Sequence, residues 1–332
     1  MNNILFRNAL ANQNQKIPPI WFMRQAGRYH NHYQKLKEKY SFEQLCKTPE
    51  LAAEVANGPI NEFDFDVAIL FSDILFILEG LGLELAFNPG PQFKQNINSN
   101  NLHLFTNIEK AIHHMNFQKQ ALLITREKIA KNKSLIGFVG GIWTLLCFAV
   151  GKNKKIIQIE DFHLSFMKKT LLPLIKLNIK LQLDAGAEIV MIFDSNLYDL
   201  NSEVFKSEYF LMLKNIADEF PNKVGLYSRG KTYDDLKLIF KLPFAGMGFD
   251  NTINLGEVFT AKYNGFKQGN FNEKLMLLDE NDFIRELNKY TNEMKEIRNR
   301  DGWICGLGHG INKKTPEKNV HIFIENIRKN FS

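Results

Sequence analysis

Ile189-Val190-Met191-Ile192-Phe193-Asp194-Ser195 is a short apolar run that ends on two polar residues, and it stands between two stretches of helical pattern. Residues 159–185 before it and 202–220 after it carry their apolar side chains at three- and four-residue spacing. Strands that alternate with amphipathic helices make a parallel α/β fold. Similar runs recur at 20–23, 67–71, 135–139, 224–227, 244–248, 265–267 and 303–307, with further amphipathic stretches at 42–63, 108–130, 233–240 and 282–298. Eight such runs predict a closed (β/α)8 TIM barrel. Residues 83–93, with the turn Asn88-Pro89-Gly90-Pro91, read as a hairpin inserted after the second strand.

The chain has 332 residues, 45% of them hydrophobic, which is ample for a large core. Barrels of this class run to about 250 residues or more as one unit, and no Pro/Ser-rich linker or charge block marks a boundary, so one domain is expected over 1–332. A formal charge of +6 favours anionic ligands. It is not a nucleic-acid signature, because no basic stripe with interleaved aromatics accompanies it; the lysine groups Lys152, Lys154, Lys155 and Lys313, Lys314 read as solvated loops or helix ends. The three cysteines, Cys46, Cys147 and Cys305, are odd in number, far apart and without CxxC spacing, which suits a reducing cytoplasm; each reads as a small buried hydrophobe. The N-terminus lacks the apolar core of a signal peptide. Residues 135–151 are uncharged over 17 positions, but their glycines favour a buried strand running into a helix over a membrane span.

Barrel enzymes place their chemistry on the loops that leave the C-terminal ends of the strands. Arg24, Asp73, Gly140, Ser195, Arg229, Asp250, Asn270 and His309 follow the eight runs in order. The first of these loops is Trp21-Phe22-Met23-Arg24-Gln25-Ala26-Gly27-Arg28-Tyr29, with two arginines around a glycine. A guanidinium is a permanently charged planar fork that matches a carboxylate, each contact contributing about 1.5 to 3 kcal/mol.

The string from Pro19 to Tyr29 closely resembles the first signature of the uroporphyrinogen decarboxylase family, P-x-W-x-M-R-Q-A-G-R. Matching words follow in order: Leu45 to Val55, Phe71-Ser72-Asp73-Ile74-Leu75, Ile136 to Leu145, and Gly306-Leu307-Gly308-His309-Gly310-Ile311. The resemblance implies a cyclic tetrapyrrole substrate, uroporphyrinogen, with eight carboxylates, four of whose acetates become methyls with loss of CO2. It implies no cofactor, because an electron-rich pyrrole protonated on carbon is its own electron sink. It implies a homodimer, a cytoplasmic enzyme, and no metal. By the same resemblance Asp73 is the catalytic centre that stabilises the protonated pyrrole. Arg24 and Arg28 hold carboxylates beside it, and Gln25, Ala26 and Gly27 complete their loop through backbone N–H groups. Phe42 lines the cleft, and Phe148, Ser195 and His309 contact substrate. From the residues alone, Asp73 reads as a helix N-cap, Phe42 as a helix staple and His309 as a turn contact.

The chain departs from the family pattern at Ile142 and Phe148, where the family has proline and tyrosine. The missing hydroxyl costs about 1 to 3 kcal/mol if a buried partner is left unsatisfied. Asn196-Leu197-Tyr198 stands in place of Trp-Ala-Gly, Arg229 in place of lysine, and Asp250-Asn251 in place of Asp-Trp. Two rivals follow. One is a tetrapyrrole binder that has lost turnover. The other is a zinc-dependent methyltransferase on the same barrel, which the absence of a His-x-Cys pair opposes.

Overall fold

The computed structural model describes residues 3–88, 90–151 and 158–332, so the lysines at 152, 154 and 155 lie outside the described residues. Nine strands form among them: β1 (Val67–Ile69), β2 (Leu85–Phe87), β3 (Pro91–Phe93), β4 (Ser134–Gly140), β5 (Val190–Asp194), β6 (Val224–Ser228), β7 (Gly246–Gly248), β8 (Phe266–Phe271) and β9 (Trp303–Leu307). Seven make one parallel sheet in the order β1-β4-β5-β6-β7-β8-β9. β2 and β3 pair antiparallel as a separate ribbon. The uncharged stretch resolves into β4, the extended cap residue Gly141 and the helix Ile142–Ala149. Among the described residues, no helix is long and apolar enough to cross a membrane.

The expected first strand, 20–23, is not formed; a single bridge from Ile20 to Cys305 takes its place. Pro18 and Pro19 have no N–H to contribute to a ladder, which shortens any strand here. The short segment nevertheless bonds to both edges of the sheet. Toward β9, Cys305 N donates to Pro19 O at 2.9 Å and Trp21 N to Cys305 O at 3.3 Å. Toward β1, Asp66 N donates to Ile20 O at 3.0 Å. Two buried side chains supply what the missing ladder cannot. Asp66 Oδ2 accepts Ile20 N at 2.8 Å. Gln25 accepts Phe22 N at 3.1 Å and donates to Val67 O at 2.8 Å.

Glycines make room inside the sheet's curve: a Cβ on Gly246 would lie 2.2 Å from Phe266 Cγ, and one on Gly225 2.4 Å from Met191 Sδ. The interior is therefore a packed core and not a pore. Outside it, the helix Glu280–Glu296 buries Phe283, Leu287, Thr291 and Met294, a three- to four-residue period. The helix Glu317–Phe331 buries Val320, Phe323, Ile324, Ile327 and Phe331 in the same way, although the sequence reading did not single it out. The expected helix over 42–63 is two helices, Phe42–Lys47 and Pro49–Phe63, because the residue before a proline is pushed out of helical conformation; Thr48 has ψ 110°. Cys46 and Cys305 are buried as expected, whereas Cys147 is only half-buried.

Replacing Gln25 with alanine strips partners from two buried backbone groups, Phe22 N–H and Val67 C=O. The expected loss of stability is about 2 to 4 kcal/mol, read from urea unfolding; a loss below about 0.5 kcal/mol, the range of neutral surface changes, would show that the side chain does not close the sheet.

Candidate active site

Three strand ends share one local pattern: Phe71-Ser72-Asp73, Phe193-Asp194-Ser195 and Tyr227-Ser228-Arg229. Side chains alternate along a strand, so the first and third residues of each word face the mouth and the middle one faces the helices. The middle residues do bond outward. Ser72 accepts from Gln118 at 2.9 Å. Asp194 accepts from Thr144 N at 2.9 Å, from the Thr144 hydroxyl, and from Tyr209. The inward aromatics form a floor. Phe71, Phe138 and Phe193 are each 8% exposed, Phe138 and Phe193 lie 5.5 Å apart, and Tyr227 follows at 6.2 Å.

Asp73 stands at the edge of this floor. Its Oδ1 accepts Leu75 N at 2.9 Å, so the capping contact expected from the residues alone exists. That bond occupies one oxygen and orients the other. Burial pushes the Asp73 carboxyl above the usual carboxylate range, opposed by the Leu75 N–H and by the nearby Arg24 guanidinium. Gly140 lets the Asp73 loop and the helix carrying Phe148 meet, since a Cβ there would lie 3.1 Å from Ile74 Cβ and 2.8 Å from Leu145 Cδ2.

Arg24 has φ +64°, a left-handed conformation that non-glycine residues seldom adopt. Its side chain lies against Gly310, where a Cβ would come within 2.6 Å of Arg24 Cδ. Arg24 and Arg28 are exposed, and neither guanidinium bonds a protein acceptor among the described residues. Tyr33, whose hydroxyl is pushed up to about 12 by burial despite Arg28, packs on Phe71 at 5.7 Å. Gln25 is a correction to the expected site: it is fully buried, its side chain closes the sheet, and its N–H donates to Phe22 O at 3.0 Å. Its side chain and its N–H are both engaged inside the protein. Ala26 is buried and Gly27 half-buried beside it.

Phe42 packs edge-on to Phe87 at 4.8 Å and to Phe71 at 6.1 Å, at the start of a helix whose capping box is Ser41 with Gln44. It is half-buried, so it serves packing while keeping an edge toward the floor. Ser195 and Phe148 are both half-buried, and the buried Asp194–Thr144 pair ties their two elements together.

His309 is fixed by Tyr227, which the sequence reading missed. The Tyr227 hydroxyl lies 2.9 Å from Gly308 O and 2.9 Å from His309 Nδ1, with the rings stacked. A hydroxyl has one proton, and a carbonyl can only accept, so Tyr227 donates to Gly308 O. The Nδ1 of His309 must then carry the proton donated to Tyr227, leaving Nε2 as a lone-pair acceptor. Burial, Arg24 and Arg229 hold the imidazole down to about 4, against Asp250. Neutral His309 thus offers an acceptor, and it meets a carboxylate only after taking up a proton. The aromatic-x-polar word at the ends of β5 and β6 was the available signal for Tyr227.

Comparison with known proteins identifies the family. The family model for uroporphyrinogen decarboxylase (URO-D) matches residues 1–330. The chain belongs to the uroporphyrinogen decarboxylase family. It is 34% identical to the uroporphyrinogen decarboxylase of Orientia tsutsugamushi (strain Ikeda), covering 96% of each chain. It is 32% identical to that of Helicobacter hepaticus, covering 98% of this chain and 99% of the relative. A methyltransferase from Methanosarcina mazei has the same fold, with a TM-score of 0.82 at 16% identity over 99% of this chain and 98% of its own. Among the described residues, no three His, Cys, Asp or Glu side chains gather as a metal-ion site would need.

Two outcomes follow from this geometry. Because the His309 pKa is lowered, the unfolded chain takes up this proton first as pH falls from about 6.5, and stability is lost through the window down to about 4. The ring should titrate near 4 by NMR in the ligand-free protein, and a midpoint at or above the ordinary histidine value would contradict the assignment. Gly310→Ala should displace Arg24 and lower kcat/KM by roughly tenfold to a hundredfold with the fold intact, as small misplacements do; unchanged kinetics would show that Arg24 needs no such bed.

Proposed function

We propose that this protein decarboxylates the four acetate side chains of uroporphyrinogen III to methyls, giving coproporphyrinogen III and CO2 in porphyrin and heme biosynthesis. The observation that carries the reading is a single oriented carboxylate, Asp73, at the edge of an aromatic floor and beside arginines with no acceptor among the described residues.

Each cycle begins with a proton added to a pyrrole carbon. The ring becomes cationic, and Asp73, aimed at the ring N–H groups, interacts more strongly with that cation than with the neutral substrate, which lowers the barrier. The bond to the acetate carboxyl then breaks, its electrons enter the ring and CO2 leaves. Proton delivery to the exocyclic carbon and proton loss from the ring carbon restore the pyrrole. Net, one carboxylate and one proton become one methyl hydrogen and CO2. Arg24 and Arg28 hold neighbouring carboxylates; a free guanidinium, with a pKa above about 12, is a poor acid, so positioning is their role. Ser195, Phe148 and Phe42 line the remaining wall, and the N–H groups of Ala26 and Gly27 face the same ligand.

The reading includes one unit over 1–332, a closed (β/α)8 barrel completed by the segment at Ile20, with the β2–β3 ribbon as an insertion. It also includes a cytoplasmic homodimer, which the family resemblance supports.

The test is an anaerobic assay with uroporphyrinogen III, in the presence of a chelator, with products oxidised to porphyrins and separated by carboxylate number. Seven- to four-carboxylate species are expected from the native chain and none from Asp73→Asn. The raised Asp73 pKa means that the ionised group costs stability at neutral pH. Asp73→Asn should therefore hold or raise the melting temperature while abolishing turnover. Unchanged eight-carboxylate substrate with the native protein would overturn the reading.

A further inference from the structure

Arg229 ends the third of the aromatic-x-polar words, and the register of the sheet says what stands beside it. β5 and β6 pair with Asp194 opposite Ser228. One residue further on, Ser195 and Arg229 leave the sheet side by side. Tyr227, two residues before Arg229, points into the mouth, where it meets Gly308 and His309. Ser228 between them is 4% exposed. Alternation then turns Arg229 to the same side as Tyr227. Arg229 is exposed, and no protein acceptor bonds its guanidinium among the described residues.

The backbone at Arg229 is fixed from both sides. Gly230 takes φ +67° against Tyr198, where a Cβ would lie 2.7 Å from that of Tyr198. Its N–H donates to the buried Asp250 carboxylate at 2.5 Å, and Asp250 is held in turn by Thr252 N at 2.8 Å. A cation on a preorganised turn loses less entropy on meeting a ligand than one on a loose loop. Its field reaches His309 and Tyr227, as does that of Arg24. Arg24 and Arg229 therefore both lie near His309.

We infer that Arg229 is a third carboxylate-binding arginine, working with Ser195 on the side of the mouth away from Arg28, and that it selects ligands with carboxylates spread around a macrocycle. Two arginines on one loop grip one edge of a polyanion. A third from β6 fixes its rotation, because carboxylates at separate points must be met together. The inference rests on the decarboxylase reading above, since it takes that reading's substrate class.

The test uses the full chain and two measurements: binding of eight-carboxylate uroporphyrin by fluorescence quenching over a range of salt concentrations, and steady-state turnover of uroporphyrinogen III. Arg229→Gln should weaken porphyrin binding by about tenfold to a hundredfold, the size of one charge-assisted contact. It should flatten the salt dependence and raise KM more than it lowers kcat. Arg229→Lys should recover the salt dependence but only part of the affinity, because the charge returns without the fork. If the native chain turns over substrate and Arg229→Gln binds and reacts like it, Arg229 is a solvated rim residue and the inference falls while the decarboxylase reading stands. If the native chain neither binds the porphyrin nor releases CO2, both fall.

Discussion

The short segment at Ile20, hydrogen-bonded toward both β1 and β9, is the constraint on which the loop after it depends. A parallel sheet that curls round must satisfy its two edges, since unpaired buried backbone groups are costly. Pro18 and Pro19 keep the closing segment short, and side chains from Asp66 and Gln25 finish the pairing. Because the segment ends so soon, the chain is free to turn at once. It does so at Arg24, in a left-handed conformation, with the guanidinium laid over Gly310. The buried Gln25, bonded to Phe22 and Val67, and the exposed Arg24 are thus neighbours with opposite orientations.

The electrostatic character of the cleft comes from what its charges lack. Some arginines elsewhere find acceptors: Arg126 meets Lys133 O at 2.8 Å, and Arg300 meets Ile297 O at 2.6 Å. At the mouth Arg24, Arg28 and Arg229 do not, among the described residues. Their mutual repulsion is tolerated because they are exposed. His309 registers the same field, which adds to burial in holding its pKa down.

Much of this was legible in the chain. Seven of the eight strand runs form, because short apolar runs between amphipathic stretches have few other ways to bury themselves, and the mouth residues follow from strand polarity. The first strand was misread because Ile20-Trp21-Phe22-Met23 is apolar enough for a strand, while the preceding prolines and the structural use of Gln25 are tertiary effects. Gln25 was assigned to the ligand because a motif records which residue is present and not which way it faces. Asp73 is read both as a cap and as a catalytic carboxylate; the Leu75 contact exists on Oδ1, and Oδ2 accepts no hydrogen bond among the described residues. Tyr227 went unnoticed because its partner, His309, is 82 residues away in the chain.

The most direct test of the account is a crystal structure of the protein with the four-carboxylate product bound. The account predicts the pyrrole N–H groups converging on the Asp73 oxygen not taken by Leu75, with product carboxylates on Arg24 and Arg28. A macrocycle bound outside this mouth, or inside it with its carboxylates turned toward Asp73, would contradict it.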